Sequence, residues 1–123
     1  IFFYYDETDY CLRAIKKNYN IFLLKNVKVK HLENQSYKKN IRPAIEPLRQ
    51  WHLMWGKFYF NKKHYGSFNA YKYCLPNLCG SFFKMIVYSF FDGYKCKLHV
   101  NRLSGLLNSM FGKKSWKRFE NYS

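Results

Sequence analysis

The sequence predicts an α/β chain in which short strands and one helix are followed by a mainly helical region. Three observations carry that expectation. The aromatic run Phe2-Phe3-Tyr4-Tyr5 leads straight into the acidic cluster Asp6, Glu7 and Asp9, as when a strand hands over to a helix. Val27-Lys28-Val29-Lys30-His31 alternates strictly, the pattern of a half-buried strand. From Leu48 onward the period changes, and Leu48, Trp51, His52, Trp55, Phe58 and Tyr59 recur at helical spacing.

Taken in order, residues 1–5 read as a buried strand or its end. Thr8 or Asp6 is suited to cap a helix running to Lys17, with Cys11, Leu12 and Ile15 on its apolar side. Lys16 and Lys17 complement the negative end of that helix, and Asn18 suits a left-handed stop. Residues 21–24 are β-prone, and Val27, Val29 and His31 share one strand face. Residues 33–40 are polar and loop-like. Pro43 and Pro47 fit before or within the first turn of a helix. Leu53, Met54 and Phe60 spread apolar character around this helix, which implies deep burial or a contact beyond its own domain, and Gly66 is its expected end. The pattern from Ser67 stays helical across Pro76 and Gly80. Residues 81–91 form the most apolar stretch but, with Lys84 inside, fall short of the ~20 residues that span a bilayer. A further helix is expected over residues 94–110, stopped by Gly112, before a basic tail.

A chain of 123 residues can bury one modest core. It opens on Ile1 with an apolar run that fits no signal peptide, and it is expected to be the C-terminal part of a longer protein. Lys and Arg number 22 against 7 Asp and Glu, a net charge of +15 that attracts polyanions: nucleic acid, anionic lipid or a nucleotide diphosphate. The lysines are scattered rather than run together, so no basic tail is implied. A residue usage rich in Asn, Tyr, Phe and Ile would by itself bring much of this charge. Cys11, Cys74, Cys79 and Cys96 show no metal-ligand spacing, and reduced thiols in a cytoplasmic setting are expected.

In so basic a chain the packed carboxylates are where chemistry is expected. Neighbouring carboxylates raise one another's pKa and a helix N-terminus lowers it, the opposition that tunes a general base. Helix capping explains the same residues without chemistry. The run from Phe2 to Arg13, followed by a helix and then Val27 to His31, resembles the C-terminal half of a family 2 glycosyltransferase, an inverting enzyme of the GT-A fold, closest to rhamnosyltransferase-like members. The resemblance covers residues 1–36 and continues more loosely through 51–66 and the Gly-Leu-Leu turn at Gly105.

That resemblance implies a division into the end of a GT-A catalytic domain (1–40) and a helical C-terminal region (41–123), whose amphipathic, lysine-rich helices suggest docking on a membrane. It implies that Glu7 is the base that takes a proton from the acceptor hydroxyl, with Asp6 the alternative because the order Asp-Glu reverses the family's usual pair. Asp9 and Arg13 would position the helix and the acceptor site, and His31 would help hold a divalent metal, Mg or Mn, on the donor diphosphate. The Asp-x-Asp metal motif and nucleotide-binding strands of that family are not among these residues. Implied partners are a nucleotide-diphosphate sugar, a saccharide or lipid-linked acceptor, and an anionic membrane surface on the cytoplasmic side. Arg49, His52, Lys63 and His64 are further candidates for phosphate contacts. The competing expectation is a non-catalytic nucleic-acid or membrane-interaction module, resting on charge and 22% aromatic content.

Overall fold

A computed structural model describes residues 4–30 and 41–118. It contains α1 (Asp6–Lys16), α2 (Arg42–Phe91) and α3 (Gly93–Met110), and no strand among the described residues. The expected α/β class, and with it the GT-A fragment implied by the resemblance, is overturned: these residues are all-helical. The physical reason lies in residues 18–30. Strand-prone residues form a sheet only when a neighbouring edge takes up their backbone hydrogen bonds, and a lone two-stranded piece is marginal in water. Here the chain turns at Lys25–Asn26, where the Val27 amide reaches the Leu24 carbonyl at 3.5 Å, but no ladder follows. Leu23 is 87% exposed and Val29 84%, so the alternation of apolar residues faces solvent.

The element labelled α2 is two helices. Gly66 adopts φ 83° and ψ 168°, a conformation that L side chains rarely tolerate, and it breaks the helix between residues 42–65 and 67–91. The two halves fold back on each other. Gln50 and Ser81 both bond Arg102, although a straight helix would hold them about 46 Å apart. The Phe58 and Tyr71 rings meet edge to face at 5.1 Å. Met54 and Phe58 from the first half join Ala70 and Cys74 from the second and Leu106 from α3 in one apolar core.

Asp92 ends the second half and begins α3, its carboxylate accepting from the Lys95 amide at 3.0 Å. α3 then crosses the first half of α2 at very close range. Trp51 is fully buried, and its indole N–H donates to Ser104 Oγ at 3.1 Å. Gly105 lies against the Trp51 backbone: a β-carbon there would sit 2.9 Å from the Trp51 carbonyl carbon and closer still to its oxygen. Residues 113–118 return along α2, with Trp55 Nε1 donating to the Lys113 carbonyl at 2.9 Å and His52 Nε2 to the Lys117 carbonyl at 3.0 Å.

The second half of α2 leaves a whole face uncovered. Phe68, Leu75, Phe82, Ile86 and Phe90 are exposed at helical spacing, with Phe83 beside them and Lys72 and Lys84 among them. An 18-residue window of α2 reaches mean hydropathy 1.2 with only 11% of it buried, so by length and composition this helix could cross a membrane.

Because the obstacle at Gly105 is backbone, Gly105→Ala should destabilise the fold by about 1–3 kcal/mol, read as a lower urea midpoint at unchanged slope.

Candidate functional site

The candidate site is built on α1, which starts at Asp6 with Tyr5 as its N-cap and no side-chain cap. Asp6 and Glu7 therefore stand in the first turn rather than before it, and Thr8 is inside the helix rather than capping it. Asn18 takes φ 61° just beyond the C-terminus. Acidic residues at the start and Arg13 and Lys16 at the end both complement the helix dipole.

The three first-turn carboxylates have different environments. Asp6 and Glu7 are exposed, with no ion pair among the described residues. Asp9 is buried and holds α1 onto α2. Its Oδ1 accepts from Lys63 Nζ and from His64 Nε2, each at 2.7 Å, while Oδ2 accepts from Arg13 Nε at 2.9 Å. His64 is itself buried and bonds Lys16 Nζ through Nδ1 at 3.3 Å, closing the network. Burial opposes the charge on Asp9, but hydrogen bonds from Lys63, His64 and Arg13 outweigh it and hold the carboxyl well below its ordinary 3.8. Tyr5 stacks on Phe60 at 5.1 Å, and Tyr4 accepts from Arg49 Nε, so α1 is docked by rings as well as by charge.

Asp9 and Arg13 thus sit together with Lys63 and His64, two residues of the phosphate-contact group, whereas His31 lies outside the described residues. Arg49 pairs with Glu46 at 3.1 Å and donates to the Tyr4 hydroxyl. His52 is committed to the tail, accepting from Ser115 Oγ at Nδ1 while it donates to Lys117; burial first, then Arg118 and Lys117, hold it below 6.5. His99 stacks on Tyr88 with Nδ1 buried and unpartnered among the described residues, and burial with Arg102 and Lys84 lowers it likewise. Burial pushes the Cys74 thiol up, and the four cysteines are unpaired.

Among the described residues no group of three His, Cys, Asp or Glu is arranged to hold a metal ion. Asp9 and His64 come together, but both are spent on the docking network.

Beside the network a groove of about 720 Å³ lies between the first half of α2 and the turn after α3. Trp55 and Tyr59, stacked at 5.0 Å, form its apolar wall, and Lys62, Lys63, Lys113 and Lys114 surround it. Lys63 therefore lines the groove and holds Asp9. Spacing alone could not have paired residues 54 positions apart.

No protein-family model, curated protein or solved structure matches this chain. With the described residues all-helical and no solved structure matching, the resemblance to family 2 glycosyltransferases is withdrawn.

Asp9 contributes stability fully above its unfolded value of 3.8 and loses it as pH falls toward its lower folded value. Asp9→Asn should cost about 2 kcal/mol at pH 7, below the range for fully buried pairs because Lys63 and Arg13 remain partly solvated. The gap between the two proteins should close below pH 3.8, as measured by urea unfolding across pH.

Proposed function

We propose that this chain supplies the acceptor-activating carboxylate of an inverting sugar transfer carried out against an anionic membrane surface. The observation that carries the reading is the split within one helical turn: Asp9 is consumed in docking α1, while Asp6 and Glu7 are left exposed on the positive end of that docked helix. A base must be held in place yet open to its substrate, and this turn meets both conditions. The reading draws on the chemistry of the motif and not on any shared fold.

In this reaction Glu7 takes the proton of an acceptor hydroxyl as that oxygen attacks the anomeric carbon of a nucleotide-diphosphate sugar. The new C–O bond forms opposite the bond to the diphosphate, which leaves with the electron pair and inverts the centre. Asp6 is the alternative base. Asp9 and Arg13 position the turn. The donor site, with any divalent metal on the diphosphate, belongs to groups outside the described residues. The setting is cytoplasmic, peripheral on the inner membrane face, with a saccharide or lipid-linked acceptor.

One observation favours a second reading, a non-catalytic membrane-interaction module. The outward stripe Phe68, Leu75, Phe82, Ile86 and Phe90, in a chain of net charge +15, has the chemistry of a helix lying in an anionic headgroup layer.

The two readings separate on one substitution. In the full-length protein Glu7→Gln should lower sugar transfer by at least about 100-fold with the helical circular dichroism unchanged, and retained activity rejects Glu7 as the base. Under both readings the protein should pellet with phosphatidylglycerol vesicles at low salt, and the double variant Phe83→Glu/Phe90→Glu should remain in the supernatant. Wild type that stays soluble in that assay removes the membrane from both.

A further inference from the structure

The groove between the first half of α2 and the turn after α3 is, we infer, a binding site for a phosphate-bearing ligand. Three features converge there. The first is charge. Lys62 comes from α2 and Lys113 and Lys114 from the turn, and none of the three ammonium groups has an ion pair among the described residues. Lysines brought together with no counter-charge repel one another, an arrangement relieved when an anion enters.

The second feature is the floor. Ser109 lines the groove, 5% exposed, and its hydroxyl is buried without a hydrogen-bond partner among the described residues. A buried hydroxyl normally finds a partner, and an oxygen-rich ligand would bring an acceptor to this one. The third feature is that the negative end of α3, which would repel an anion, is covered. Amides of Phe111, Gly112 and Lys113 already occupy the carbonyls of Leu107, Ser109 and Asn108. The stacked Trp55 and Tyr59 rings give the groove one apolar wall.

The position of Lys63 makes the site more than a basic patch. Its ammonium is pinned to Asp9 at 2.7 Å while the side chain lines the groove, so phosphate bound there would lie beside the residue that docks α1. The inference does not depend on sugar transfer: loss of phosphate binding would leave the Glu7 reading where it stands.

The test uses the chain with two charge-matched triple variants. One is Lys62→Gln/Lys113→Gln/Lys114→Gln in the groove; the other is Lys25→Gln/Lys28→Gln/Lys30→Gln on the exposed segment after α1. Circular dichroism checks that both retain their helices. Inorganic pyrophosphate, titrated by calorimetry, probes a soluble source of the phosphate. Phosphatidylglycerol vesicles mixed with phosphatidylcholine, assayed by co-sedimentation, probe a lipid headgroup. The site is supported if the groove variant weakens binding to either probe by at least about tenfold while the control variant changes it less than about twofold, and the affected probe names the source. Equal losses from both variants reduce the effect to net charge and overturn the site. Absence of wild-type binding to either probe overturns it as well.

Discussion

The rest of the structure depends on a reversal of direction at one residue. Gly66, at φ 83°, lets two helical segments turn back on each other where a side chain would resist the conformation. Without it Met54 and Cys74, which share a core, would be about 30 Å apart on a single rod. With it they form two sides of an apolar interior that α3 closes, and Gly105 lets α3 approach until its backbone meets that of Trp51. Arg102 then joins all three segments by bonding Gln50 at 2.6 Å and Ser81 at 3.3 Å.

Charge is distributed around this interior unevenly. A chain of net charge +15 places one of its few carboxylates, Asp9, in the middle of three cationic or imidazole donors, and α1 is held by that concentration. Lys63 and Arg13 remain partly solvated, so the cost of removing them from water is smaller than for a wholly buried pair. Asp6 and Glu7, in the same first turn, carry no such load.

Legibility in the sequence followed the range of the physics. The break at Gly66, the left-handed Asn18 and the stop at Gly112 are local consequences of backbone sterics, and each could be read from its neighbours. The helical stripe through Trp51 and Trp55 was legible as a period. What it packed against was not, because the partners arrive from residues 104 and 113. The strand reading of residues 21–24 and 27–30 failed for a related reason: alternation states a capacity to pair, and pairing needs an edge that the described residues do not offer. At the candidate site the acidic cluster was visible at once, whereas the partition of its members into one buried and two exposed depends on Lys63 and His64, far along the chain.

The path of residues 113–118 is fixed partly by the side chains of Ser115, Trp116 and Lys117, which bond His52, Asn108 and Asn101, and partly by contacts that do not read residue identity. Trp55 and His52 grip the main-chain carbonyls of Lys113 and Lys117, an atom every residue type carries, so the hold on position 113 does not depend on its side chain. The lettering at 113 and 114 is thereby released from structural duty and is open to selection by whatever the neighbouring recess accommodates.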